Sequence, residues 1–520
     1  MNYAFPLTTP LSVRFGIVGG GTMGSGIALA ALRAGIPVTL YEANPTTRAT
    51  ARDYLHTQLT RKNQAAALNF LTLAENLQDL RGCNLVLEAI YEDLTAKQNL
   101  FQQLETICPP PAILATNTST LAVTAIAAAL QQPQRAAGMH FFNPAAVLPL
   151  VEIVSGAQTN PQTVATLTQI AKMMGKTPVS ARDLPGFIVN RVARPFYGES
   201  LRLLGESAAD HATLDQIITL GGGFKMGPFA LMDLIGIDIN FAAMSSMYEQ
   251  TWGEPRYRPH AIQRQMVQQG TLGRKTQRGF YTYGEDASPQ APALPNAAPI
   301  SGVLAFPRDD APLELSARLQ KSGVTLIDRY TPSSTPRAVL LNARADNGLM
   351  AHVTQWDSAT PPDTLLLVQA ADIALSQIAA WMEHPQRLVG FDNLFLAGAQ
   401  AVTLMAGEFT AEPARRAAET LIRNLGWLPL WVRETPALVL PRVVAMLINE
   451  AAFAALEGVA TPDEIDLAMQ LGVNYPKGLL AWGRELGFAR VTAILDFLWS
   501  EYHEERYRAC RLLRQWARVE

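Results

Sequence analysis

Residues 16–45 read GIVGGGTMGSGIALAALRAGIPVTLYEANP. The stretch sets Gly19, Gly21 and Gly24 in the spacing G-x-G-x-x-G, and Glu42 closes the apolar run that follows. Glycine-rich turns are common, so the flanks decide the reading. RFGIV before the turn is short, apolar and β-branched. MGSGIALAALRAG after it is a small-residue helix that stops at Gly35, and PVTLY is a second buried strand. Strand, tight turn, helix and strand in that order make the first unit of a doubly wound parallel sheet. Gly19 permits the turn, Gly21 lets backbone approach a pyrophosphate, and Gly24 lets the helix lie close on the sheet. Thr22 and Met23 complete the turn at a helix N-terminus whose N–H groups and dipole favour an anion. Glu42, about 20 residues on, can accept from both hydroxyls of an adenine ribose and would repel a 2′-phosphate. No arginine follows at once, so the expected cofactor is NAD rather than NADP.

The remaining composition sets limits around that reading. A chain of 520 residues has room for about three domains of ordinary size. Hydrophobic residues at 48% and charged residues at 17% describe a globular protein with ample core. A formal net charge of −3 gives no electrostatic reason to expect nucleic acid or an anionic membrane as partner. Cys83, Cys108 and Cys510 share no metal-ligand spacing and make no disulfide framework, so no metal is expected. MNYAFPLTTPLSV at the start lacks the basic and apolar regions of a signal peptide, and no apolar run reaches transmembrane length. A cytoplasmic location is the expectation.

The sheet pattern continues through NLVLEAI (84–90) and AILATNTS (112–119), whose strand ends face the cofactor crevice. Glu92 and Lys97 follow the first of these, and Asn117 and Ser119 end the second. In GMHFFNPAAVLPLVEIV, His140 ends a strand, Asn143 and Pro144 follow, and Glu152 lies in the next apolar strand. A carboxylate among apolar residues is costly unless paired. Pairing with His140 would fix the imidazole tautomer and make a base for a hydroxyl proton, with Ser119 and Asn190 holding the substrate oxygen. The spacing alone leaves a second reading open, in which His140 caps a strand and Glu152 pairs with some arginine.

GGGTMGSGIA, EAIYEDL, TNTSTL, GMHFFNPAAVLPLVEIV, DLPGFIVNR and KMGPFALMDLIGID together resemble the 3-hydroxyacyl-CoA dehydrogenases, over residues 14–283. The resemblance implies a Rossmann-type α/β NAD-binding domain followed by an all-helical domain of the 6-phosphogluconate-dehydrogenase kind. It implies His140 as catalytic base, Glu152 as its orienting carboxylate, and Ser119, Asn143 and Asn190 as substrate contacts. Glu92, Lys97 and Asn117 match positions that line the family's NAD site. The chain reads KTQRGFY at 275–281 where the family has K-T-G-x-G-F-Y.

From PGFIVNRVARPFYGESLRLL onward the periodicity is helical, with Asn190 opening a long helix; Phe224, Met226 and Phe229 read mostly as core with an acyl channel as the other use. Residues 284–300 are rich in Pro and Ala and read as a linker. Beyond it the chain repeats itself. QPQRAAGMHFFN (132–143) aligns with HPQRLVGFDNLF (384–395), LPGFIVNR (184–191) with TPALVLPR (435–442), and GEPRYRPHAIQR (253–264) with HEERYRACRLLR (503–514). Order and spacing hold over the whole span, which chance repeats do not do. Asp392 stands for His140, Pro441 for Asn190, and Thr403 near the place of Glu152. The counterpart of the opening turn has no glycine triplet, and Asp309 and Asp310 fall where a pyrophosphate needs donors.

The expected plan is therefore 1–184 NAD-binding, 185–283 helical, 284–300 linker, 301–435 a degenerate Rossmann-like segment and 436–520 a second helical domain. The second copy is expected to bind no NAD and to serve packing, as an intrachain pseudo-dimer of helical domains, with a homodimer also possible. The plan is similar to the long bacterial 3-hydroxyacyl-CoA dehydrogenases of phenylacetate catabolism. It implies NAD-dependent oxidation of an (S)-3-hydroxyacyl-CoA such as the 3-hydroxybutyryl or 3-hydroxyadipyl ester. Two alternatives stand beside it: a gulonate-like dehydrogenase of a hydroxy acid without CoA, and a non-catalytic NAD-binding relative.

Overall fold

The computed structural model describes residues 13–284, 292–306, 313–331, 335–341, 347–392 and 394–520. Asp309, Asp310 and most of the N-terminal stretch lie outside the described residues, as does part of the expected linker. The chain forms two compact units. One joins the residues up to Val192 with Ala454–Asn474; the other joins Ala193–Phe453 with Tyr475–Glu520.

The first unit is built on eight strands: β1 Phe15–Val18, β2 Val38–Tyr41, β3 Leu71–Ala74, β4 Leu85–Glu88, β5 Ile113–Thr116, β6 Ala136–Phe141, β7 Leu150–Ser155 and β8 Thr177–Arg182. Their order is β3-β2-β1-β4-β5-β6-β7-β8, parallel throughout except for the antiparallel step from β6 to β7. Strands β1, β4, β5 and β6 are buried along their whole length, as expected when helices cover both faces. One core holds Ile27, Leu29 and Leu32 of the helix Thr22–Arg33 against Phe15, Ile17 and Leu87. The other sets Phe101 and Leu104 of the helix Leu94–Ile107 against Val86 and Leu114. At the edge, the helix Pro462–Val473 from late in the chain covers β7 and β8. Arg182 N donates to Val459 O at 2.8 Å, Ser180 N to Glu464 Oε1 at 3.0 Å, and a Cβ on Gly472 would stand 2.7 Å from Leu150.

The second unit holds a seven-stranded sheet: β9 Val303–Ala305, β10 Thr325–Ile327, β11 Ala338–Leu341, β12 Leu365–Gln369, β13 Leu388–Phe391, β14 Ala401–Ala406 and β15 Leu428–Arg433. The order β10-β9-β11-β12-β13-β14-β15 is that of the first sheet without β3, and β13 to β14 is again the antiparallel step. Here a helical segment from earlier in the chain covers the edge. Arg433 N donates to Ala208 O at 2.8 Å and Gln400 N to Leu220 O at 2.7 Å.

The helices of the second unit come from both halves and share reciprocal polar contacts. Tyr257 donates to Glu450 at 2.6 Å and Arg256 pairs with it at 2.8 Å. About 250 residues on, Tyr507 donates to Glu199 at 3.0 Å and Arg506 lies 3.6 Å from it. Arg442, fully buried, reaches Glu199 at 2.9 Å and Glu206 at 2.8 Å. The long helix expected from Asn190 is two helices, Val189–Val192 and Arg194–Gly205, because Pro195 offers no N–H to carry one ladder through. Phe224 and Phe229 are core residues of this unit, 5% and 0% exposed. Gln277 takes φ +57°, the left-handed region, at the position where the resembling family carries glycine.

Candidate active site

The glycine turn lies between β1 and the helix Thr22–Arg33. Gly19 has φ +106°, and a Cβ there would come 2.6 Å from Ala89 O. A Cβ on Gly24 would come 1.9 Å from Gly19 O, so only glycine lets this helix start against the strand end. At Gly21, the N-cap, a Cβ would meet nothing within 4 Å, which leaves the backbone open on the ligand side. The turn is thus a cradle that fits a pyrophosphate. Glu42, just past β2, accepts from Gly20 N at 2.7 Å and from Asn44 N at 2.9 Å, which holds the carboxylate beside the cradle.

Sequence reasoning did not single out Glu88, the last residue of β4. It is fully buried and accepts from Lys97 Nζ at 2.9 and 2.8 Å, from Ile90 N at 3.1 Å and from Thr116 Oγ1. The ammonium of Lys97, 1% exposed, is therefore held first by Glu88, with Glu92 at 3.4 Å. The signal was present: an acid closing an apolar strand needs a partner, the argument that drew attention to Glu152. Glu92 in turn gathers the end of β5. It accepts from Thr118 Oγ1 at 2.9 Å, from Ser119 N at 2.8 Å and from Ser119 Oγ at 3.3 Å. Asn117 Oδ1 accepts from Phe141 N at 2.9 Å and so ties β5 to β6.

His140 and Glu152 lie directly opposite each other across the antiparallel step. Nδ1 of His140 is 2.7 Å from Glu152 Oε2. The other carboxylate oxygen, Oε1, accepts from Ile188 N at 3.1 Å and Val189 N at 2.9 Å. Those N–H groups open the helix Val189–Val192, and the turn that aims them has Gly186 at φ +75° and Phe187 at φ +48°. Glu152 is fully buried and His140 is 5% exposed, so the pair sits in a low-dielectric setting. Phe142 and Phe187 flank the imidazole at ring-centroid distances of 4.5 and 5.9 Å. Asn190 Nδ2 points to Ser119 O at 3.5 Å, which brings the start of this helix to the end of β5.

A cleft of about 390 Å³ opens among these groups, lined by Met23, Glu92, Lys97, Asn117, Ser119, His140, Asn143 and Asn190 with Ala89, Ile90, Phe141 and Phe142. One cleft therefore touches the glycine-turn helix, the β4 and β5 ends and the His140 loop. Among the described residues no group of three or more His, Cys, Asp or Glu is placed to hold a metal ion, and no single helix is long and apolar enough to cross a membrane.

In the second unit the equivalent step carries Asp392, whose N donates to Thr403 O at 3.0 Å. Its carboxylate accepts from Leu394 N at 2.9 Å, and burial pushes its pKa up to about 7. No imidazole stands at this position.

Comparison with known proteins agrees with this geometry. Residues 14–184 match the 3-hydroxyacyl-CoA dehydrogenase NAD binding domain, and residues 186–283 and, a second time, 438–519 match the 3-hydroxyacyl-CoA dehydrogenase C-terminal domain. A 3-hydroxyadipyl-CoA dehydrogenase of Escherichia coli K12 is 36% identical over 97% of this chain and 97% of its own. A probable 3-hydroxybutyryl-CoA dehydrogenase of Bacillus subtilis is 38% identical over 52% of this chain and 98% of its own. The crystal structure of a 3-hydroxybutyryl-CoA dehydrogenase from Escherichia coli K12 superposes with a TM-score of 0.81 at 35% identity, covering 98% of this chain and 99% of that one.

Proposed function

The chain belongs to the 3-hydroxyacyl-CoA dehydrogenase family, an NAD-dependent group of oxidoreductases, and from that premise we propose how its own residues act. His140 is the general base. Its bond to Glu152 assigns the proton to Nδ1 and leaves Nε2 to take the proton of the substrate 3-hydroxyl. Glu152, held by two backbone N–H groups and by the imidazole, orients the ring and stabilises the imidazolium that forms. Ser119, Asn143 and Asn190 hold the substrate oxygens while hydroxyl becomes carbonyl. Gly19, Gly21, Thr22, Met23 and Gly24 cradle the pyrophosphate of the cofactor, and Glu42 takes its adenine ribose. Glu92, Lys97 and Asn117 line the same cleft as cofactor-site residues, with the Lys97 ammonium fixed by Glu88 at 2.8 Å. NAD, when bound, supplies the hydride acceptor.

The observation that carries this reading is the buried 2.7 Å pair of His140 and Glu152 on the wall of the cleft. The substrate proposed is a short (S)-3-hydroxyacyl-CoA. NAD reduction with 3-hydroxybutyryl-CoA, set against gulonate, tests it. Turnover of gulonate alone would make the chain a dehydrogenase of free hydroxy acids, and no turnover of either would favour a non-catalytic relative.

We further propose that the reciprocal contacts of Tyr257 with Glu450 and Tyr507 with Glu199 form an intrachain pseudo-dimer of helical domains. The domain limits read from the sequence, 1–184, 185–283, 301–435 and 436–520, are retained as the evolutionary units, and a cytoplasmic location is proposed with them. Truncation near residue 290 is expected to give a protein that aggregates or self-associates in analytical ultracentrifugation. A fully active monomer of that length would refute the pairing.

A further inference from the structure

Glu88 ends β4 fully buried, and Lys97, Ile90 and Thr116 all donate to its carboxylate. The bonds run on from there and close a ring. Thr116 Oγ1 accepts from Thr118 N at 3.1 Å, Thr118 Oγ1 donates to Glu92 Oε2 at 2.9 Å, and the same Glu92 oxygen lies 3.4 Å from Lys97 Nζ. Ser119 hangs from this ring, its N and Oγ donating to Glu92 Oε1 at 2.8 and 3.3 Å. The side chains of Glu88 and Lys97 are 0% and 1% exposed, whereas that of Glu92 is 38% exposed. Lys97, Glu92 and Ser119 line the cleft and Glu88 does not. All of these residues belong to the first unit.

An ion pair at this depth adds little net stability, because the desolvation of both charges offsets most of their attraction. The second sheet shows what closing the strand ends requires. Glu88 is the register partner of Thr116 at the ends of β4 and β5. In the corresponding strands β11 and β12, Leu341 is the partner of Val368, and both are buried. Two aliphatic side chains suffice there. The polar ring of the first sheet therefore answers to something other than closing the sheet.

We propose that Glu88 is a positioning residue of the cofactor cleft: by fixing Lys97 on one side and Thr116 on the other, it sets the Glu92 carboxylate and Ser119 on the cleft wall. A neutral residue at 88 would leave the buried ammonium with Glu92 as its remaining carboxylate. Glu92 would then be drawn inward, since an uncompensated buried charge is costly, and its bonds to Ser119 would be given up. One substitution behind the wall thus reaches both NAD affinity and the serine assigned to the substrate. The inference rests on the cleft being the NAD site, which the same titration reads separately.

The test titrates the full chain with NAD by calorimetry, in the parent, Glu88→Gln, Glu88→Asp and Thr116→Val, each well below its thermal midpoint. Glu88→Gln keeps the shape of the side chain and should weaken NAD binding about 10-fold, the scale of a lost charged hydrogen bond. Glu88→Asp restores the charge and should return affinity to within about 3-fold of the parent. With 3-hydroxybutyryl-CoA at saturating NAD, Glu88→Gln should also lower kcat by about 5- to 10-fold as Ser119 is released. Unchanged NAD affinity in Glu88→Gln, whatever its thermal midpoint, overturns the proposal, as does an Asp variant no better than Gln. A kcat that stays at the parent's value removes Ser119 from it. If Glu88→Gln does not fold, Thr116→Val decides, because Val368 shows that valine closes the equivalent strand end. Its NAD affinity should fall about 3-fold, the scale of one neutral hydrogen bond, and no fall overturns the proposal. A parent that binds no NAD removes the cofactor reading of the cleft itself.

Discussion

At the β6–β7 step His140 lies opposite Glu152 and the two are bonded; at the β13–β14 step Asp392 lies opposite Thr403 and no side-chain pair forms between them. Around these steps much else is the same. Arg135 beside Glu105 recurs as Arg387 on Asp357, at 3.7 and 2.6 Å, each guanidinium also taking backbone carbonyls. The left-handed turn at Gly186 and Phe187 recurs at Ala437 and Leu438, with φ +61° and +55°. A second copy without the histidine thus separates two sets of residues. What it keeps in place, the buried arginine and the turn, holds the sheet and helix together. What it replaced, the histidine and its carboxylate, is the pair that the proposed mechanism gives to the reaction.

The largest expected difference between the two steps is in turnover. His140→Ala should lower kcat by about 10²- to 10⁴-fold with little change in NAD affinity, whereas Asp392→Ala should leave kcat within about 3-fold. Comparable losses in steady-state kinetics would mean that the second step takes part in the reaction.

Next comes a stability effect peculiar to the second step. Folding raises the Asp392 pKa from its ordinary value to about 7, so the folded state binds the proton more tightly. The associated stability is full below about pH 4 and is lost as pH rises through 7, a change of about 4 kcal/mol. Asp392→Asn keeps an acceptor for Leu394 N and removes the charge. Urea unfolding at pH 5 and pH 8 should show the variant gaining over the parent at the higher pH, and parallel curves would refute the assignment.

A smaller effect separates the two cofactor edges. Glu42 should favour NAD over NADP by about 2 kcal/mol, read as kcat/KM for the two, and equal efficiencies would remove it from the ribose site. Titration should find one NAD per chain; two would return a binding site to the second copy.

The smallest concerns the shared turn. Ala437→Gly should stabilise by about 1 kcal/mol and Gly186→Ala should cost about as much, because only glycine occupies φ near +60° to +75° without a Cβ penalty. Thermal midpoints check both.

The glycine turn, the strand order around it and the repeat were legible because each is written in local spacing: G-x-G-x-x-G between two apolar runs, and three segments recurring 250–252 residues apart. The pairing of His140 with Glu152 was legible as one of two options, since a buried acid demands a partner without naming it. Glu88 and Lys97 show the limit. They are nine residues apart with a helix start between, and only the folded turn brings the ammonium onto the strand end. Nor does an amphipathic helix declare which sheet it will cover, so the placement of Pro462–Val473 on β7 and β8 had no local sign.

That placement has a consequence for the order of synthesis. The edge of the NAD-binding sheet closes only with a segment ending at Asn474 of a chain of 520 residues. A ribosome must therefore deliver the residues up to Asn474 before the first-made sheet can be covered. Until then β8 offers Ser180 and Arg182 N–H groups without their final acceptors. The nascent chain carries an open strand edge from the synthesis of β8 until that of Asn474, the condition in which sheets pair with the wrong neighbour, and chaperone demand should concentrate there.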